Sequence, residues 1–282
     1  MAAAFAAALA PSAQADGPYY SDSASVIWED NATTAPPGDG IRSAFTFASG
    51  GSVSWIYSLG FSTLLVSSMS ANIQVCSRFS GLDNLALGPR LEVRHKVGVG
   101  PMALSLYAGI GGTAAGYSDP ERSAIEGTLL FGASQRLGPA MQLAVDGRLG
   151  SYDARDVVFT GNYASVLAAV NIDLDQTWRL KLLGGWRAGD TVAGYTAYKS
   201  SYGWEPVDSD ALNLPGAWHY VATYKEPFVD YRVSARTWSC GCALSPAVGR
   251  NTSLTLQYMR FDTVGPAPYI DNVVSLSLAH KY

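Results

Sequence analysis

Between Asn272 and Tyr282 the chain alternates without a break. Val274, Leu276, Leu278, His280 and Tyr282 fall on one face, and Val273, Ser275, Ser277, Ala279 and Lys281 fall on the other. A period of two residues reads as a β-strand with one apolar face. The strand runs to the last residue printed and ends on an aromatic ring.

The other end of the chain points to export. Ala2 to Ala10 is a short apolar run, followed by Pro11 and by Ala13-Gln14-Ala15 ahead of Asp16. That is the pattern of a secretory signal peptide over residues 1–15, which leaves 16–282 as the folded unit. Nothing before Arg42 is cationic, so the basic start of such a signal is expected upstream of Met1. After Ala10 no apolar stretch approaches the ~20 residues of a spanning helix. The remaining ~267 residues suffice for one large domain. With 29 Gly, 16 Tyr, 7 Trp and only 15% charged residues, the composition fits a sheet-rich protein with aromatic girdles, or a secreted β-sandwich. Three cysteines are too few for a disulfide framework; Cys76, Cys240 and Cys242 read as small buried side chains. With only three histidines, neither metal nor cofactor is expected.

Alternation and turn residues mark twelve strands, near 22–33, 42–57, 61–79, 84–97, 102–116, 123–137, 140–152, 161–174, 177–189, 226–243, 250–262 and 268–282. Ten or fourteen are the neighbouring even counts. Connections after every second strand are tight, such as Ser58-Leu59-Gly60, Gly138-Pro139 and Asp175-Gln176, whereas the others are longer, above all Asp190 to Lys225. Sorting of loop length by turn parity is expected of a membrane barrel and not of a soluble sandwich.

Alternation also assigns faces. Charge on a lipid-facing position costs roughly 2–4 kcal/mol near the bilayer midplane, so apolar faces are expected outside. That rule directs Arg78, Arg90, Glu92, Arg94, Lys96, Glu126, Arg136, Asp146, Arg148, Arg179, Lys181, Arg187, Asp230, Arg232 and Arg236 to the lumen, with Glu29 and Asp173. Eleven of 19 cations and six of 23 acids then face inward, in a chain of net charge −4. Carboxylates brace such an interior by pairing with arginines, and surplus cations attract anions into a wet passage.

With its signal-like start, parity of loops, alternating faces and terminal Tyr282, the sequence resembles Gram-negative outer-membrane β-barrels, specifically the porin-like barrels of proteobacteria without assigned function. The resemblance implies an all-β transmembrane barrel of about twelve strands, residence among outer-membrane lipid and lipopolysaccharide, and Tyr282 as an assembly signal for the barrel assembly machinery. The expected function is passive passage of small, anionic solutes through an Arg/Lys-rich lumen. The alternative is a plugged structural or adhesive barrel whose loop 190–225, with Tyr195, Tyr198, Tyr202, Tyr220, Tyr224, Trp204 and Trp218, binds a partner. A hydrolase is less expected: His219 has Ser201, Asp208 and Asp210 in its loop, but no barrel-hydrolase motif surrounds it. A conventional autotransporter lacks room for a passenger before the first strand. A nucleic-acid binder is contradicted by the acidic pI and the absence of a basic surface patch.

Overall fold

The computed structural model describes residues 15–38, 40–201, 203–206, 218–221, 223–224 and 227–282. In chain order the strands are β1 (Ala15–Glu29), β2 (Ala44–Ser58), β3 (Thr63–Cys76), β4 (Asn84–Val97), β5 (Leu104–Tyr117), β6 (Ala124–Arg136), β7 (Met141–Ala154), β8 (Gly161–Asp173), β9 (Trp178–Ser200), the short β10 (Gly203–Pro206) and β11 (Trp218–Val221), β12 (Phe228–Pro246), β13 (Thr252–Val264) and β14 (Tyr269–Lys281). Among the described residues, twelve long strands make the wall. β9 pairs directly with β12 and β14 with β1, all antiparallel, so the sheet closes and leaves no open edge.

The outside of this ring is apolar. Leu85, Leu87 and Val93 on β4, Ile125, Leu129 and Phe131 on β6, and Leu276 and Leu278 on β14 are all exposed. A soluble monomer does not carry a continuous apolar belt of this kind, so the barrel belongs in a bilayer. Wall strands of 13 residues or more exceed the 9–11 that cross the hydrocarbon. Their ends therefore stand in the interfacial layers. Near one end, His95 and His280 each share a hydrogen bond with a cross-strand threonine, Thr63 at 2.9 Å and Thr252 at 2.7 Å.

The first described residue, Ala15, the C-terminal Tyr282 and five turns (59–62, 98–103, 137–140, 174–177 and 247–251) lie at one rim, which by the rule for this class is periplasmic. In the fourth of these, after β8, the Asp175 carboxylate accepts from the Thr177 and Trp178 N–H groups, and the Thr177 bonds hold its carboxyl below the usual range. The opposite rim carries 30–43, 77–83, 118–123, 155–160, 265–268 and the extended β9–β12 hairpin. Four of these connections are scarcely longer than the periplasmic turns, so the expected length contrast resides in only two of them.

Three connections form a collar. Residues Ser80–Leu82, Pro120–Arg122 and Val157–Phe159 each make one 3-10 turn. Asp83, Ser123 and Thr160 close these turns by accepting from the backbone N–H of Cys76, Tyr117 and Ala154 at 2.7, 3.0 and 3.0 Å. Adjacent turns are bonded to each other, Asp119 N–H to the Gly81 carbonyl at 3.1 Å and Asp156 N–H to the Glu121 carbonyl at 3.0 Å.

Four expectations need correction. The first strand lies at 15–29 instead of 22–33; a register shift between Asp16 and Tyr19 lets Pro18 sit where no ladder bond is required. Strand β3 ends at Cys76, so Arg78 stands exposed in the collar and not in the wall. Cys240 and Cys242 are exposed on the outer face, and only Cys76 is buried. Finally, Asp230, Arg232 and Arg236 lie on the face opposite the one that continues the lumen, because Thr237 and Ser239, not Arg236, pair across from inward Arg187 and Gly185. The apolar partners Val229, Tyr231, Val233 and Ala235 are buried by protein, not by lipid. Hydrophobic alternation reports burial and says nothing of what does the burying.

Candidate functional site

The face of the wall opposite the apolar belt lines a lumen with a charged sector. Strand β4 places Arg90, Glu92 and Arg94 in one inward row. Both guanidinium groups donate to the two oxygens of Glu92, which is 2% exposed, while the arginines remain 40% and 54% exposed. Toward the periplasmic rim the arrangement recurs across strands: Arg179 Nε lies 2.7 Å from one oxygen of Asp173, and Arg136 lies 3.5 Å from the other. One carboxylate thus orients two arginines and cannot cancel them. Among the described residues, Lys96, Lys181 and Lys281 have no ion-pair partner.

Tyrosines complete the sector. The Tyr107 hydroxyl donates to Asp146 and the Tyr163 hydroxyl donates to Glu126 at 2.5 Å, each reaching over an intervening strand. Arg148 borders Tyr163, and the Arg187 guanidinium sits 4.8 Å from the same ring. The reach requires glycine beneath: a methyl group at Gly132 or Gly150 would collide with the ring of Tyr107 or Tyr163. Gly150→Ala is expected to displace Tyr163 and cost about 1–3 kcal/mol. The unfolding midpoint of the refolded barrel checks this. Tyr163→Phe, which keeps the packing, should lose less.

Among the described side chains, inward register positions hold nine cations (Arg90, Arg94, Lys96, Arg136, Arg148, Arg179, Lys181, Arg187, Lys281) and six carboxylates (Glu29, Glu92, Glu126, Asp146, Asp173, Asp271), a surplus of three. They are not evenly spread. Arg94, Lys96, Arg136, Arg179, Lys181 and Lys281 crowd the periplasmic third beside Asp173, whereas Glu29, Glu126 and Asp271 stand toward the other mouth. A second sector, on β1 to β3, presents Ser25, Ser52, Ser70, Asn72 and Gln74 around an open cavity of about 530 Å³.

That far mouth is covered. Above Gly189, β9 leaves β8 and, with β12, forms a tongue packed on both faces. One face sets Tyr195 and Tyr231 edge to face at 5.7 Å and buries Ala193, Val229 and Val233 with Ala267. The other drives Phe228 against Ala44, Phe79, Val158 and Tyr224 from elements around the ring. Phe228, Val229 and Asp230 are 0% exposed. At the centre, Arg122 of the collar donates to Asp230 and to the Tyr224 hydroxyl at 3.2 Å, and lies 4.3 Å from the Phe159 ring. Burial pushes the Tyr224 hydroxyl above its ordinary value, so it stays protonated. Arg232 ties the tongue to the collar through the Val157 and Thr160 carbonyls at 3.1 and 3.2 Å.

Arg122 was not among the lumen residues expected from sequence, because it stands in a turn where alternation carries no information. Tyr195 and Tyr224, expected as partner-binding rings, are internal. Tyr202, Asp208 and Asp210 lie outside the described residues, as do the side chains of Tyr198, Trp204, Trp218, His219 and Tyr220.

No protein-family model matches this sequence, and no curated protein sequence matches it. The fold does have solved counterparts. An outer-membrane channel from Pseudomonas putida F1 shares 11% identity over 94% of this chain and 96% of its own, with a TM-score of 0.60. The NanC porin shares 8% over 91% and 98% at a TM-score of 0.47, and the DcaP channel of Acinetobacter baumannii 9% over 96% and 97% at 0.42. At such identities the likeness concerns architecture. The chain has the fold of a bacterial outer-membrane β-barrel.

Proposed function

We propose that the protein, exported by residues 1–15, resides in the outer membrane among lipid and lipopolysaccharide and passes small anionic solutes without catalysis. Assembly would proceed through the C-terminal strand ending at Tyr282. The observation that carries the reading is the sharing of Glu92 by Arg90 and Arg94, and of Asp173 by Arg136 and Arg179, which leaves fixed positive charge facing water. Fixed charge in a narrow passage raises the local concentration of counter-ions.

Reversal potentials of the refolded barrel in planar bilayers under a KCl gradient test it. Chloride selectivity is expected, and Arg94→Gln with Lys96→Gln and Lys181→Gln should cut the chloride-to-potassium permeability ratio about threefold or more. Selectivity that ignores these changes would refute the role of these cations. A second reading, a plugged barrel working through its tongue and the loop beyond it, is favoured by the covered mouth. Persistent silence of a folded barrel would select it.

A further inference from the structure

The lumen has a third sector that a passage for inorganic ions does not need. On its inward face, Leu167 and Ala169 of β8, Leu183 of β9, Met259 and Phe261 of β13 and Val273 of β14 form one apolar cluster. It crosses β12 at Gly241, which the Met259 side chain overlies, and Gly185 of β9 lets Leu167 approach, its Cδ1 lying 3.1 Å from where a methyl would stand. The two glycines turn separate apolar side chains into a continuous stripe.

The cations flank that stripe on a single strand. Lys181 precedes Leu183 by two residues and Arg187 follows it by four, all on the inward face of β9, so the charges stand roughly 7 and 13 Å along the strand from the centre of the apolar patch. From this juxtaposition we infer that the permeating solutes are organic anions with an apolar body, aromatic or branched aliphatic carboxylates. The carboxylate passes from Arg187 to Lys181 while the body rides over the part-exposed Leu167, Phe261 and Val273, which the buried Ala169, Leu183 and Met259 support from behind. A hydrated inorganic anion gains nothing from the stripe, and a sugar acid would have to lay hydroxyl groups against it and lose their hydration. The inference rests on the anion-channel reading above and deepens it.

The test uses the full refolded chain in planar bilayers, with reversal potentials under potassium benzoate and potassium gluconate gradients beside KCl. Benzoate is expected to exceed gluconate in permeability about fivefold beyond the ratio of their aqueous mobilities, consistent with partial burial of one ring. Leu167→Thr with Phe261→Thr should erase that excess and leave the chloride-to-potassium ratio unchanged. The wild-type comparison alone decides the matter if that variant fails to fold. Chloride selectivity without a benzoate preference overturns this inference only. Potassium selectivity, or silence, overturns the anion channel and the inference with it.

Discussion

Replacing Arg122 with alanine is expected to lift the tongue out of the mouth. Asp230 is wholly buried, and the Arg122 guanidinium of the collar donates to its carboxylate. Removing one partner of a buried ion pair costs about 3–5 kcal/mol, because the other charge is left desolvated. The tongue can escape that penalty by swinging about its base and returning Asp230 to water. Cys76 supplies the reporter. It is buried in the same cluster as Phe228 and Tyr224, whereas Cys240 and Cys242 are exposed. In a Cys240→Ser, Cys242→Ser background, labelling of Cys76 by a charged maleimide should accelerate about a hundredfold in Arg122→Ala, since 1.4 kcal/mol is about a factor of ten. Conductance should rise in parallel. Arg122→Leu combined with Asp230→Leu provides the contrast, because apolar replacement of both partners leaves no stranded charge and should keep the tongue seated. Equal labelling in wild type and Arg122→Ala would show that this pair does not latch the mouth.

The wall was readable because lipid imposes a simple rule on it. On β4, β6 and β14 one parity is mainly apolar between the strand ends, and residues of that parity such as Leu87, Val93, Leu129, Phe131, Leu276 and Leu278 are the ones the structure exposes to the bilayer. The same rule failed at Arg236, which is exposed where the wall ends, and at Asp230 and Arg232, where the strand has left the wall and both its faces meet protein. There the larger apolar residues go to the side that packs on Ala267, and the charged ones to the side that meets the collar. Nothing in the local pattern distinguishes burial by lipid from burial by a loop distant in sequence. The pairing of Arg122 with Asp230 spans 108 residues and depends on how far the tongue bends, which no period reveals. The shared carboxylates were half legible: the Arg90-Glu92-Arg94 spacing puts three charges in one row of one strand, but Arg136, Asp173 and Arg179 meet only once register is known.

The bend itself should depend on Gly189. There the β8–β9 ladder stops, with Tyr163 opposite Gly189 as its last pair, and the backbone takes a φ of +137°, a conformation that residues with a Cβ rarely adopt. A methyl group would stand 2.6 Å from the Tyr163 Cα and would also strike the Asn162 carbonyl. The next residue pins the geometry: the Asp190 carboxylate accepts from the Asn162 N–H at 3.0 Å, and its carbonyl accepts from the Tyr152 hydroxyl and from Arg187 at 3.0 and 3.1 Å. Gly189→Ala therefore meets two penalties of about 1–3 kcal/mol each, one for the left-handed backbone and one for overpacking. The wall below contains neither, so the barrel should still fold and resist mild heating in detergent. The tongue should not seat, and Cys76 should label quickly. Gly184→Ala is the matched control, five residues earlier on the same strand, with open space where its methyl would stand. It should behave as wild type in both assays. If Gly189→Ala and Gly184→Ala cannot be told apart, the turn of β9 across the mouth is held by the collar contacts, those of Arg122, Arg232 and Phe228, and not by the backbone at Gly189.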